Sequence, residues 1–250
     1  MEYTEINAAT IDRWCREGWE WGKPLSKEKY EAAKLGQWDV LLTPTRPVPH
    51  GWFGGDIRGK RLLGLASGGA QQMPVFAALG ADCAVLDYSE SQIESEREYA
   101  AREGYAIDIL RADMTKPLPF EDNSFDIIFH PVSNCYVRQV EPIWRECARI
   151  LKKGGRLLAS FDNGINYLVG EDEERIIHKM PFDPLSDPAL MEECVRDDVG
   201  VQFSHTFEEE LGGLLRAGFR LCDLYEDTNG VGRLHELNIN TFMAVLCVKE

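Results

Sequence analysis

The sequence predicts a doubly wound α/β fold, a seven-stranded and mostly parallel sheet that closes with an antiparallel C-terminal hairpin. Three observations carry that expectation. From Gly59 onward, short apolar runs alternate with helix-period segments, the pattern of parallel strands joined by crossover helices. Glycines stand where each helical segment should stop, at Gly80, Gly104, Gly154-Gly155 and Gly218. Between the last two apolar runs, Glu226 to Asn240 shows no helical period and cannot serve as a crossover, so those strands should pair antiparallel.

The predicted strands are Arg61–Leu65, Cys83–Asp87, Ile107–Arg111, Phe125–His130, Arg156–Phe161, Arg220–Tyr225 and Thr241–Val248. The helices between them are expected at Gln71–Leu79, Glu90–Arg102, Val140–Leu151 and Phe207–Ala217. Ahead of this pattern, residues 1–58 read as an aromatic-rich arm or lid carrying Trp14, Trp19, Trp21 and Trp38. Ser26 is placed to cap a short helix there, and the prolines of Thr43 to Pro49 make a stiff connector. Residues 59–250 form the main domain, and a polar, proline-bearing stretch at about 163–205 is an inserted cap after the fifth strand.

Composition narrows the function classes. The 250 residues carry a formal charge of −15, which disfavours nucleic acid or an anionic membrane as partner, since both demand a cationic footprint. The seven cysteines are odd in number and include no C-x-x-C pair, so free thiols in a cytoplasmic setting are expected, with no metal site. No stretch has the length of a membrane span, and the N-terminal residues do not read as a signal peptide.

The most informative segment is Arg61 to Gln72, a buried strand breaking into the small-residue turn Ala66-Ser-Gly-Gly-Ala70 and then a helix. Such a turn lets a ligand approach bare backbone N–H groups. A second apolar strand ends in Asp87 about 20 residues on, the spacing of nucleoside-binding βαβ units.

From about Lys60 to Leu158 the chain resembles the class I S-adenosylmethionine-dependent methyltransferases, in a bacterial subgroup of the type 11 kind with no assigned substrate. The resemblance rests on the first turn, on Asp87, on Arg111-Ala-Asp113-Met114, on Pro117 to Phe129, and on Glu146 to Gly155. Leu65-Ala-Ser-Gly-Gly with Gln71-Gln72, His130-Pro-Val-Ser-Asn134 and the tryptophan-rich arm mark the subgroup. It implies a Rossmann-like sheet and S-adenosyl-L-methionine as cofactor, converted to S-adenosyl-L-homocysteine. Where the family usually reads acid-x-Gly-x-Gly-x-Gly, Gly64, Ala66, Gly68 and Ala70 stand at the four small positions and the acid is missing; Ser67, Gln71 and Gln72 are neutral substitutes.

The resemblance implies a cofactor site of Ala66, Ser67, Gly68, Gln72, Asp87, Tyr88, Asp113, Met114, His130 and Ser133. Asp87 accepts from the two ribose hydroxyls, Asp113 meets the adenine amine, and the N–H after it meets a ring nitrogen. Methyl transfer needs nucleophile, methyl carbon and sulfur in line, water excluded, and sometimes a base. His130 is the candidate base, at the edge where ligands bind in open α/β sheets. Asn134, Tyr136, Asn163, Tyr167 and His205 are candidate contacts for a small-molecule acceptor; Asp162 and Asn166 belong to the second cluster, and His178 lies in the cap. Trp19, Trp21 and Trp38 are placed to close over the cofactor. The rival readings are a non-catalytic sensor or scaffold that binds the same cofactor and, less well supported, an NAD-dependent dehydrogenase.

Overall fold

The computed structural model describes residues 2–250. Among them the chain forms strands β1 (Arg61–Leu65), β2 (Asp82–Asp87), β3 (Asp108–Arg111), β4 (Phe125–His130), β5 (Leu151–Asp162), β6 (Phe219–Asp227) and β7 (Phe242–Lys249). They make one sheet in the order β3-β2-β1-β4-β5-β7-β6. The β1–β2, β2–β3, β1–β4 and β4–β5 pairs are parallel. The final strand β7 inserts antiparallel between β5 and β6, with Asp162 opposite Phe242. The predicted hairpin is therefore present, and the sheet matches the predicted class.

Helices α3 (Met73–Ala78), α4 (Glu90–Glu103), α5 (Glu141–Ile150) and α7 (Phe207–Arg216) fall where the glycine stops placed them, with one difference. Helix α5 stops at Ile150, before Gly154-Gly155, because Leu151 is already extended and pairs with Phe125 of β4. The two glycines lie inside β5 instead. Gly154 sits at φ +77°, and a Cβ on Gly155 would fall 2.8 Å from the Lys152 carbonyl, so they let the strand bend past Asp126.

Two apolar layers sandwich the sheet. On one face Trp144 of α5 and Leu214 of α7 cover Leu63, Ile128 and Phe161. On the other, Phe76 of α3 packs with Phe129, and residues 40–57 of the predicted arm join them through Val40, Leu42, Trp52 and Phe53. The stretch from Thr43 to Pro49 is thus more than a connector. Thr45 and Arg46 donate backbone N–H bonds to Asp227 at 2.8 and 3.1 Å, which ties it to the end of β6.

Helices α1 (Tyr3–Arg16), α2 (Lys27–Lys34) and α6 (Pro188–Asp197) lie outside the sheet crossovers. Ser26 caps α2, its side chain accepting from the Lys29 N–H as expected. A short α8 (Gly232–Glu236) lies between β6 and β7, too short for a crossover. Helix α1 crosses the carboxyl ends of the strands. Asn7 fastens one part of it to the stretch between β5 and α7, accepting from the Val201 N–H at 2.6 Å and donating to the Val201 carbonyl at 2.9 Å. Asp12 fastens the other, accepting from the Ser91 N–H and the Ser89 hydroxyl at the start of α4.

Candidate active site

A cavity of about 500 Å³ opens at the carboxyl ends of β1, β2, β4 and β5. It sits where the chain order reverses between β1 and β4, the expected place for a ligand in an open sheet. Helix α1 and the tryptophans Trp14, Trp19 and Trp21 form part of its wall. Among the described residues that line it, the charged side chains are Asp87, Asp113 and Asp162, with no Lys, Arg or His. The cavity is therefore apolar, aromatic and negative in field.

The first turn brings Ala66, Ser67, Gly68 and Gln72, all expected cofactor contacts, to the cavity wall together. Its backbone is fixed group by group. The Gly68 N–H donates to Asp87 Oδ2 at 3.0 Å, the Gly69 N–H to the Gln92 carbonyl at 3.1 Å, and the Ala70 N–H to Glu96 Oε1 at 2.7 Å. A Cβ on Gly68 would stand 2.8 Å from Gln92 Cβ and 3.0 Å from Asp87 Oδ2, so only glycine lets the turn pass this close. Ser67 donates to Gln72 at 3.1 Å. Gln71 is drawn to the arm, where it donates to the Glu20 and Lys23 carbonyls.

Asp87 ends β2 and lines the cavity, its Oδ1 accepting from the Ser89 N–H at 3.0 Å. Burial pushes its carboxyl above the ordinary range, with nearby Asp12 adding to that, while the N–H donors pull the other way. Tyr88 and Met114 line the same end. Asp113 Oδ1 takes both the Thr115 N–H and hydroxyl, at 2.8 and 2.7 Å, so its second oxygen is free of those bonds.

His130 is not in the cavity. It is fully buried, its Nδ1 2.9 Å from the Leu65 carbonyl and Nε2 2.8 Å from the Asn134 side chain, which in turn bonds Glu210. Burial lowers the imidazole pKa and raises that of Glu210 well above the carboxylate range. Asn134 turns its amide oxygen to Nε2 and donates from Nδ2 to Glu210 at 3.2 and 2.9 Å, so the ring, Asn134 and Glu210 form one buried chain that ends on the Leu65 carbonyl. The expected catalytic base is thus a buried brace under the end of β1. Asn134 belongs to this brace and not to an acceptor contact. We expect His130→Gln, which strands the Leu65 carbonyl, to cost about 1–2 kcal/mol in denaturant unfolding. Unchanged stability with lost turnover would restore the catalytic role.

Two further expectations are corrected. Asn163 turns to the residues just before β7, donating to the Asn240 carbonyl at 2.9 Å, and does not line the cavity. His205 is buried beside Glu210 at 3.6 Å, held neutral by burial. Of the remaining candidates, Ser133, Tyr136 and Tyr167 line the cavity. Trp38 does not; its ring stacks on His50 with centroids 4.0 Å apart. His178 packs edge-on against Phe182. Asn7 and Ile11 of α1 were missed as lining residues, as was Gln202, and nothing in their sequence pattern marks them.

Comparisons with known proteins show the family. The methyltransferase domain family matches residues 63–159. An uncharacterised methyltransferase of Bacillus subtilis, YbaJ, is 36% identical over 250 residues, 97% of each chain. The chain belongs to the S-adenosylmethionine-dependent methyltransferases. A ubiquinone biosynthesis O-methyltransferase of Chelativorans sp. is 29% identical over 167 residues, 64% of each chain. In fold, an S-adenosylmethionine-dependent methyltransferase from Mesorhizobium loti superposes with a TM-score of 0.60 at 22% identity, covering 78% of this chain and 93% of that one. The dehydrogenase and non-catalytic readings give way to the enzyme.

The residues of this methyltransferase suit the cofactor. A bare turn, a carboxylate on β2, a second after β3, and a cavity without cations fit a nucleoside joined to a positive sulfonium. When bound, S-adenosylmethionine supplies an electrophilic methyl carbon. The chain's own groups bind and orient: aromatic walls exclude water, and the fixed turn holds its shape without reorganisation.

Proposed function

We propose that this methyltransferase alkylates a small molecule, in the cytoplasm, with the adenosyl moiety at Asp87, Tyr88, Asp113 and Met114. In this reading Asp87 accepts from the ribose hydroxyls, Asp113 from the adenine amine, and the turn Ala66 to Gly68, with Gln72 and Ser133, borders the methionine part. Residues 1–58 act in part as a lid and 163–205 as a cap over a domain of residues 59–250.

The observation that carries the small-molecule reading is the roof. Helix α1, pinned at Asn7 and Asp12, contributes Thr4, Asn7, Ala8 and Ile11 to the cavity wall and narrows the space available to a polymer. The charge of −15 points away from nucleic acid in the same way. Relatives named for ubiquinone biosynthesis and demethylmenaquinone methylation act, by those names, on small molecules. For location, the seven cysteines are all unpaired, as in a reducing compartment, and no helix among the described residues is long and apolar enough to cross a membrane.

A labelling experiment tests this. Protein incubated with methyl-labelled S-adenosylmethionine and a bacterial extract is expected to place label in molecules that pass an ultrafilter. Label retained on protein or nucleic acid would defeat the small-molecule reading.

A further inference from the structure

The cavity has a second end that the cofactor contacts leave free. In the sheet, β1 and β4 separate β2 from β5, so Asp162 lies three strands from Asp87, roughly 14 Å at the usual strand spacing. Asp162 closes β5 and lines the cavity while being almost wholly buried. Its carboxylate is held from behind. The Gly164 N–H donates to Oδ1 at 2.6 Å and Asn166 Nδ2 to Oδ2 at 2.5 Å. Asn229 Nδ2 in turn donates to Asn166 Oδ1 at 2.9 Å, and the Thr241 hydroxyl to Asn229 Oδ1 at 2.7 Å. A carboxylate offers about four acceptor positions, so two stay open for a ligand.

The walls at this end are aromatic and uncharged. Tyr136, Tyr167 and Phe242 line it; the Tyr167 hydroxyl is committed to Gln202 at 2.7 Å. No cation among the described lining residues neutralises Asp162. The titratable groups that feel it, Cys135, Tyr167 and Glu210, are all pushed by burial toward their neutral forms.

We propose that Asp162 receives the methyl acceptor, which is an apolar, aromatic molecule presenting a neutral hydroxyl and carrying no carboxylate or phosphate at that point. The inference rests on the cofactor site described above. In the transfer, an oxygen lone pair of the acceptor forms the new O–C bond. The C–S bonding pair departs to sulfur, leaving the neutral thioether. The hydroxyl proton passes to the Asp162 carboxylate and later to water. Burial supports the role by holding Asp162 at about 6, closer to neutrality than an ordinary carboxylate and still ionised at pH 7.5.

Isothermal titration of the full chain saturated with S-adenosylhomocysteine tests this with two probes on one ring system, 2-naphthol and 2-naphthoate, at pH 7.5. The wild-type protein is expected to bind naphthol at least tenfold more tightly than naphthoate. Equal or tighter naphthoate binding, or binding of neither probe, overturns the proposal, and this arm needs no variant. Asp162→Asn, which can still accept from Gly164, is expected to weaken naphthol at least fivefold with S-adenosylhomocysteine affinity kept within twofold. A smaller change in naphthol affinity overturns it. Failure of the wild-type protein to bind S-adenosylhomocysteine overturns instead the cofactor site beneath it.

Discussion

Asp87→Ala is expected to weaken S-adenosylhomocysteine binding by roughly tenfold to 150-fold, a loss of about 1.5–3 kcal/mol, while the protein stays folded. Two separate losses converge in that number. The first is a pair of charge-assisted hydrogen bonds to a vicinal diol, which a neutral methyl group cannot replace. The second is the brace on the turn, because the Gly68 N–H loses the acceptor that fixes it at 3.0 Å. Asp87→Asn keeps the shape and one acceptor oxygen, so its loss should be intermediate. Burial and Asp12 hold the Asp87 carboxyl above its ordinary pKa. The ionised form is the better acceptor, so cofactor affinity falls as pH is lowered, and the fall begins at a higher pH than for an exposed aspartate. Titration calorimetry across that range, with a melting curve for each variant, separates binding from folding. An Asp87→Ala affinity within twofold of wild type would remove this residue from the site.

The parts of this site that were legible in the sequence are those whose chemistry is carried by backbone geometry at strand ends. The turn after β1, Asp87 and Asp113 sit at the ends of apolar runs, and such runs announce both their own burial and the rim where they stop. His130 also ends a strand, yet its role was misread. Whether its ring turns toward the cavity or beneath β1 depends on Asn134 and on Glu210, 80 residues away on α7, and no local pattern encodes that meeting. Helix α1 was missed for a related reason. The residues it buries, Thr4, Asn7, Ala8 and Thr10, are polar or small, so it docks through hydrogen bonds and close approach and leaves almost no apolar period to read. Helix α6 had a readable start, since Asp187 caps it with Pro188 in its first turn. The glycines after α5 misled in the other direction, because a bend inside a strand and the end of a helix call for the same residue.

Glu96 gives the other large effect, and it concerns the turn after β1. This glutamate of α4 is wholly buried beneath the turn, Oε1 accepting from the Ala70 N–H at 2.7 Å and Oε2 without a partner. Ala70 sits at φ +55°, a left-handed conformation that a residue with a Cβ adopts at a cost of roughly 1–2 kcal/mol, so the hydrogen bond helps hold a strained position. Burial pushes Glu96 up to about 8, with Asp87 adding to the shift and the Ala70 N–H opposing it. The unfolded chain releases this proton near the ordinary glutamate value, and the folded chain keeps it to about 8. Between those values the folded state binds more protons, so stability is full at the acid end of the window and declines as pH rises through it, by up to about 1.4 kcal/mol per pH unit. Glu96→Gln keeps an acceptor for the Ala70 N–H and has no proton to lose. It is expected to match wild type near pH 5 and to exceed it at pH 8 by about 2–4 kcal/mol, several degrees in melting temperature. Asp162, also raised to about 6, and Glu210 carry the same sign, so the variant retains part of the slope. Glu96→Ala, which strands the Ala70 N–H, should be less stable than Glu96→Gln at every pH. Melting curves for wild type and Glu96→Gln that run parallel from pH 5 to pH 8 would show that Glu96 ionises freely, and the brace under the turn would then have to be sought elsewhere.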